Sequence, residues 1–456
     1  MSSKNGLIIS SLLLIISLLT SCLGNNEYDE IPDMEDAEIL SFSLSSDSVP
    51  ALAKVVFSID QERNQIYNYD SMAYLTEIKY KVIVNYTSAA GTSNIQNITD
   101  GDSTWIKSGD SIDVSKPLLF KAYALYGNTT KTYTFKLNIH QIDPDSVQYT
   151  QVASNQAFLQ AEELQTILFK DNFYTFTKTD DGIKLYSSSN AVNWSEIPLS
   201  GLPDNTVVRG IKSNGEKLFA CTADGDYYEC TSSTANDWSK INLDYPVTSI
   251  LGYLKLGEGQ PQLKEGLSLI VKKDNQDIFA FLTGNQWTWG DVAPANFPVS
   301  DFASFNSERL KLGYLTVIGG LSSSGEVLNE VWSTGNGLYW AKLTNTTNIE
   351  SVFPALKGAN VIYYNSEYWV LNGKLNDNTY NPGVYSSGDG GATWIQREEK
   401  CFYPADYQRR YGASVVVDSK GIYFYILGGK DDAVLPEIWK GYINKQAFVS
   451  SSSQGQ

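Results

Sequence analysis

Histidine is almost missing from this 456-residue chain: His140 is the only one. Acid–base chemistry that turns on an imidazole is thereby excluded everywhere else. Cysteine is scarce, with Cys22, Cys221, Cys230 and Cys401 alone. Their spacing beside a single histidine offers no zinc ligand set, and no metal or other cofactor is expected. Arginine is limited to Arg63, Arg209, Arg309, Arg397, Arg409 and Arg410. Positive charge is short overall: 34 Lys and Arg face 51 Asp and Glu, a formal net charge of −17. Such a chain is a poor partner for nucleic acid or an anionic membrane surface. The apolar run Leu7–Leu19 is too short, at ~1.5 Å per residue, to cross a hydrocarbon core of ~30 Å. Aromatic residues are abundant instead: 10 Trp, 29 Tyr and 18 Phe, a load that suits β-sheets and contacts with sugars or proteins.

Lys4 precedes the Leu7–Leu19 run and Leu19-Thr20-Ser21-Cys22 follows it. A basic residue, a short apolar stretch and small residues at its end read as an export signal over 1–21. Leu-Thr-Ser-Cys resembles the lipobox of bacterial lipoproteins. That resemblance implies lipidation of Cys22, whose several acyl chains would give stable anchoring. Residues 22–38 read as an acidic tether, with Glu27, Asp29, Glu30, Asp33, Glu35, Asp36 and Glu38 and no base. Acids soon after the lipidated cysteine resemble the surface-export signal of Bacteroidetes-type lipoproteins, which implies the outer face of the bacterial outer membrane. A tether on the periplasmic side is the alternative.

From Ile39 the pattern changes to strands. Ile39–Leu44, Lys79–Tyr86, Leu118–Leu125 and Thr132–Ile139 alternate apolar and polar residues. Gly127-Asn128 marks a hairpin between the last two. A β-sandwich over 39–140 follows. Ser111–Ile139, with Asp113, Ser115, Pro117 and Tyr133, resembles the closing half of an immunoglobulin-like domain of Bacteroidetes surface lipoproteins. Phe57–Asp60 and Ile66–Ser71 resemble its opening half, although Met72–Thr76 replaces its usual small residues. The resemblance implies a fold and a spacer role. His140 falls at the end of this domain, before a linker expected over 141–152. Asp-Ser pairs followed by an apolar residue or Thr place Ser48, Ser71, Ser103, Ser111 and Ser146 in a pattern that resembles the O-glycosylation acceptor of Bacteroidetes exported proteins. The plain alternative is a common turn pair.

Residues 153–449 repeat. Trp194, Trp238, Trp289, Trp340 and Trp394 each close a similar phrase, at intervals that suit the ~40–50-residue period of propeller blades. Six units are expected, at 153–199, 205–243, 246–292, 297–345, 350–398 and 404–449, with a seventh left open; residues 450–456 read as a disordered tail. Ser387-x-Asp389-x-Gly391-x-Thr393-Trp394 resembles the Asp-box of sialidase-like propellers, a structural turn away from the ligand face. Val317–Gly320, Val370–Gly373 and Ile426–Gly429 end apolar strands in Gly-Gly or Asn-Gly, which resembles the kelch repeat, with Arg410–Ser414 as its lead-in. The fold class is all-β: an Ig-like sandwich followed by a β-propeller. Each blade buries both faces, so runs such as Ile422–Leu427 have no polar side.

Cys221 and Cys230 flank a hairpin at Asp224-Gly225. A two-residue turn would set Cys221 opposite Tyr228, leaving a disulfide to Cys230 open. Sialidase-like enzymes clamp a carboxylate with three arginines and use a Tyr–Glu nucleophile with an Asp acid. This chain lacks their Arg-Ile-Pro lead-in, and adjacent Arg409 and Arg410 in a strand would face opposite ways. No catalytic residue is assigned. The expected role is a non-catalytic binding or scaffold protein that takes a glycan or protein ligand through a propeller face. Asn285–Trp289 and Asn378–Pro382 are candidate aromatic contacts, and a glycoside hydrolase or lyase is the alternative. As a whole the chain resembles two-domain Bacteroidetes-type lipoproteins of uncharacterised role.

Overall fold

The computed structural model describes residues 35–445, apart from 79–80, 102, 162, 205–206 and 344–352. Cys22, the export signal, most of the acidic tether and the 450–456 tail lie outside these residues. Among the described residues no helix is long and apolar enough to cross a membrane. The chain divides into two compact units at Ile142/Asp143.

The described residues of the first unit form two sheets. One is three-stranded, in the order Ile39–Ser45, Val82–Ser88, Ser111–Ile112; the other is six-stranded, in the order Phe57–Asp60, Gln65–Asn68, Thr130–Lys136, Leu118–Ala124, Thr92–Asn97, Thr104–Ile106. The strands pair antiparallel except Gln65–Asn68 with Thr130–Lys136, which run parallel and are followed by a parallel bridge between Met72 and Ile139. Alternation does the sorting. Leu118, Phe120 and Ala122 point inward while Leu119 and Lys121 do not. Phe42 and Leu44 from the small sheet share one core with Ile66, Ile95, Phe120 and Phe135 from the large one. The Phe42 ring lies 5.1 Å from Phe135 and 5.4 Å from Phe57. Each such ring contributes about 1.5–3 kcal/mol by leaving water.

The second unit is a propeller-type domain in which the described residues form six four-stranded antiparallel sheets and one two-stranded sheet, Leu356–Lys357 with Lys374–Leu375. The first sheet runs from Glu163–Phe169 to Ser195–Ile197, the second from Val208–Ser213 to Trp238–Ile241, and the third from Val247–Leu254 to Gln286–Val292. The fourth runs from Ala303–Arg309 to Ala341–Lys342 and the fifth from Asn360–Tyr364 to Ile395–Gln396. The sixth comprises Ser414–Val417, Phe424–Leu427 and Glu437–Asn444, with Ser146–Ser154 added at its outer edge. The first strands touch in sheet order, and that of the sixth touches that of the first, so the array closes.

Closure is visible in the cores as well. An apolar cluster lies between each neighbouring pair of sheets: Phe176 with Trp238 between the first and second, Phe219 with Leu269 between the second and third. Leu251 with Leu315 and Val331 with Val370 continue the series. Trp369 with Phe424 and finally Leu427 with Leu164 complete it. Middle strands such as Leu218–Thr222 and Phe424–Leu427 are buried on both faces, which accounts for their unbroken apolar sequence.

Two expectations are corrected. The linker at 141–152 is largely strand: Ser146–Ser154 pairs antiparallel with Glu437–Asn444, Val147 opposite Ile443 and Gln151 opposite Trp439. The N-terminal edge of the unit therefore completes its last sheet. The Cys221 hairpin turns through an extra residue, because Gly225 takes φ +88 and the Thr222 amide donates the closing bond to the Asp226 carbonyl. Cys221 then faces Tyr227, and Cys230 faces Leu218. The two thiols project from opposite faces, Cys230 into the core between the first and second sheets and Cys221 into the next. Both are free, as is Cys401.

Candidate functional site

Two ends of the six sheets differ. At one end lie the turns between third and fourth strands, where the tryptophan phrases fall. In the fifth sheet Ser387 Oγ donates to Asp389 Oδ1 at 2.8 Å, and the Thr393 amide and hydroxyl donate to the same carboxylate at 2.9 and 2.7 Å. The Gly391 amide closes on Ser387 Oγ, and the buried Trp394 indole donates to the Gly391 carbonyl at 3.1 Å. Burial would raise the Asp389 carboxyl, but the bonds from Thr393 and Ser387 outweigh it and hold the carboxyl below its ordinary value. The first sheet repeats the turn with Ser188, Asn190 and Trp194, and the fourth with Thr334 and Asn336. These turns hold strands; they leave no group aimed at a ligand.

A cavity of about 160 Å³ opens at this same end between the second and third sheets, lined in part by Lys217, Tyr227, Glu229 and Glu265. Tyr227 donates to Glu229 at 3.0 Å, and Lys217 pairs with Glu229 at 3.2 Å. Burial, and then the Glu229 charge, pushes the Tyr227 hydroxyl far above its ordinary range, the reverse of an activated nucleophile. The five arginines of this unit do not converge. Arg309 stacks over Tyr314, Arg397 pairs with Glu367, and Arg409 donates to the Asn381 carbonyl. Arg410 is fully buried and donates to the Gln408 and Gly428 carbonyls and to Glu437 at 2.8 Å.

At the opposite end, the fourth, fifth and sixth sheets carry long loops between their second and third strands. In each, the strand ends in the Gly-Gly or Asn-Gly pair, and the following residue pairs with the lead-in to the sheet. Gly320 takes φ +89 and a side chain there would fall 2.6 Å from the Ser300 carbonyl, so only glycine allows the approach. Three short rows result. Leu321 stands between Ser300 and Val327 in the fourth sheet. Lys374 stands between Lys357 and Tyr380 in the fifth, and Lys430 between Tyr411 and Val434 in the sixth. Residues directly opposite share a face, and all nine are half-buried. The rows are tied together by the backbone: Gly412 donates to Gly358, and Gly358 to Asp301. The buried Arg410 carbonyl receives Gly373 and so sets Tyr411 in place.

The Lys374 ammonium lies 5.5 Å from the Tyr380 ring centroid and 5.4 Å from that of Tyr411; Lys430 lies 5.8 Å from Tyr411. The two rings are 6.4 Å apart. Among the described residues no carboxylate forms an ion pair with Lys357, Lys374 or Lys430. The Tyr380 hydroxyl is buried without a hydrogen-bond partner. Asp431 and Asp377 border the rows, but Asp431 accepts from Gln408 and the Ala433 amide, and Asp377 from Thr379. Burial, and then the charges of Asp431 and Asp432, raise the Tyr380 hydroxyl, so the three ammonium groups and the aromatic faces share this surface with carboxylates that make no ion pair with them.

Sequence reasoning reached part of this mouth. Tyr380 belongs to the Asn378–Pro382 candidate and Tyr411 to the lead-in phrase. Lys357, Lys374 and Lys430 were missed. The available signal was the position immediately after each glycine pair, occupied by Leu321, Lys374 and Lys430. The Asn285–Trp289 candidate lies elsewhere, on the outer strand Gln286–Val292 of the third sheet, where Trp287 and Trp289 stack at 5.2 Å. Ser146 is 6% exposed within its strand, which withdraws it as an accessible acceptor; Ser48, Ser103 and Ser111 are exposed and Ser71 half-buried.

Residues 143–451 match the DUF6242 beta propeller domain, and residues 33–137 match the DUF6242 N-terminal domain, a domain of unknown function. No curated protein matches the sequence. Among solved structures, the chain is similar to YjhT at 12% identity and a TM-score of 0.42, covering 63% of this chain and 96% of that one. It is also similar to YCF48, solved bound to a D1 peptide, at 16% identity and a TM-score of 0.33, covering 73% and 89%.

Proposed function

The chain belongs to the DUF6242 family, and from that premise we propose that it is a lipid-anchored binding protein of the bacterial outer membrane, facing the exterior. In this reading Cys22 carries the anchor and the acidic residues after it form a leash. The two-sheet unit is an immunoglobulin-like spacer, and the second unit is a six-bladed propeller of the kelch and Asp-box kind. It presents the three-row mouth to a glycan or protein ligand and does no chemistry on it.

One observation carries the proposal. Lys357 and Lys374 sit directly opposite one another in a short ladder, where like charges cost stability. Such a pairing, left without a carboxylate and set beside Tyr380 and Tyr411, is sensible where an external partner supplies the missing charge. A glycoside hydrolase is the second reading, favoured by the Tyr227–Glu229 contact at 3.0 Å. The raised Tyr227 hydroxyl and the Lys217 pairing of Glu229 weigh against it.

The test is a glycan array probed with residues 23–456, run beside a hydrolysis screen on the same glycosides. Binding without turnover is expected, and turnover of any glycoside overturns the reading. Glycosylation of Ser48, Ser71, Ser103 and Ser111 belongs to the same proposal. Its check is the intact mass of the native protein, which must exceed protein plus lipid.

A further inference from the structure

Resting on that binding reading, we infer that the mouth of the fourth to sixth sheets takes an acidic oligosaccharide, one whose sugars carry carboxylate or sulfate groups. The charge argument comes first. Lys357, Lys374 and Lys430 converge on one surface, through the Lys357–Lys374 and Lys430–Tyr411 pairings and the Lys374 contact with Tyr411. Among the described residues no carboxylate forms an ion pair with them, and Asp431, which lies close enough to act on Tyr380, is held by Gln408 and the Ala433 amide. Their half-burial limits competition from water, so an anion placed there gains more than at a free surface.

The shape argument selects a sugar over a peptide. An acidic peptide bound as an added strand needs unpaired backbone groups. Here the backbone is already used: Gly320 donates to Leu356, Leu321 to Ser300, Gly373 to Arg410, Tyr411 to Lys430, and Lys430 back to Tyr411. Recognition is left to side chains. Tyr380 and Tyr411 present two rings 6.4 Å apart and inclined at 35°, apolar faces suited to the C–H face of a pyranose. The buried Tyr380 hydroxyl has no partner, and an added sugar hydroxyl would satisfy it. Leu321, Val327 and Val434 supply an uncharged border. Each anionic sugar thus finds a ring for its face and an ammonium for its charge.

The test measures binding of residues 23–456 to four probes by calorimetry at low and moderate salt. The probes are hexagalacturonate, a chondroitin sulfate hexasaccharide, neutral cellohexaose and hexaglutamate peptide. Binding of either acidic sugar is expected, weakening as salt rises, with cellohexaose silent. The double variant Lys374→Gln, Lys430→Gln should weaken it at least tenfold with a melting temperature no lower than that of wild type, because the Lys357–Lys374 repulsion is relieved, and Tyr380→Phe several-fold. Hexagalacturonate and chondroitin sulfate separate carboxylate from sulfate. The inference is overturned if neither acidic sugar binds, if cellohexaose binds as well, if hexaglutamate binds more tightly than both, or if the double variant binds like wild type. Tight binding of a neutral glycan would leave the broader binding role standing and remove only this ligand class; turnover of a probe would remove both.

Discussion

Asp389→Ala is the most informative single change, because the protein contains its own controls. The Asp389 carboxylate accepts from Ser387 Oγ, from the Thr393 amide and from the Thr393 hydroxyl, at 2.7–2.9 Å. Alanine removes all three acceptor contacts. The turn is partly open to water, so the loss should resemble that of a helix-capping aspartate, about 2 kcal/mol. That corresponds to roughly 3 °C in the melting of a unit spanning 143–447. Asparagine stands at the same place in the first and fourth sheets, where Asn190 and Asn336 accept two amides each at 2.9–3.1 Å. Asp389→Asn should therefore cost less than about 1 kcal/mol. The remaining difference is the charge. The folded carboxyl sits below its ordinary value of 3.8, so its contribution is complete above that value and is lost as pH falls through the folded one. The gap between wild type and Asp389→Asn should thus be full at neutral pH and close in acid. Scanning calorimetry of residues 23–456 from neutral to acid pH gives all three quantities. The reasoning fails if the alanine variant melts within about 1 °C of wild type, or if asparagine is as damaging as alanine.

Four further expectations follow from the same geometry. A chain beginning at residue 155 lacks the outer strand Ser146–Ser154 and should lose cooperative unfolding, with rescue by a peptide spanning 143–155; unaltered melting without the peptide would show that the ring does not depend on this strand. Arg410→Met removes the cation from Glu437, which keeps the Trp439 indole, and leaves the buried Gly428 carbonyl without this donor; it should cost about 3–5 kcal/mol in a urea titration, and a loss under about 1 kcal/mol would refute the clamp. Burial lowers the Lys212 amine to about 8 from 10.5, so the unfolded chain binds more protons between those values and stability should rise with pH across them. Lys212→Met should accordingly stabilise at pH 7 and lose that advantage as pH climbs past 8, although it forfeits the contact with Ser304 at 2.9 Å; a gain independent of pH would contradict this. Cys221, Cys230 and Cys401 are buried and free, and burial raises the Cys221 thiol to about 11; all three should resist alkylation in the native state through lack of access and react after denaturation without reductant. A mass two hydrogens short would instead reveal a disulfide.

Much of the architecture was legible locally. Alternation marked Ile39–Ser45, Leu118–Ala124 and Thr130–Lys136, because each has one face in water. Apolar runs between glycine turns marked the middle strands, because neither face meets water. The expected units fall on the observed sheets, as at 246–292 against Val247–Val292. What failed was whatever depended on a distant partner. Ser146–Ser154 reads as an ordinary short segment, and only its ladder with Glu437–Asn444 makes it part of a sheet. The Cys221 hairpin was misjudged by one residue, and one residue reverses a face.

The mouth shows the same division. Composition, periodicity and the glycine pairs determined by themselves that the two folded units are nearly all β, that the second repeats about a tryptophan, and that it turns tightly after Val317–Ile318, Val370–Leu371 and Ile426–Leu427. Those are short-range properties, set by side-chain alternation and by backbone conformations that favour glycine. Tertiary structure alone decided that Lys357, Lys374 and Lys430, 73 residues apart from first to last in the chain, share one surface with Tyr380 and Tyr411. Cross-strand pairing and the meeting of neighbouring sheets bring them together, and both are fixed by how buried faces fill space around a closed ring.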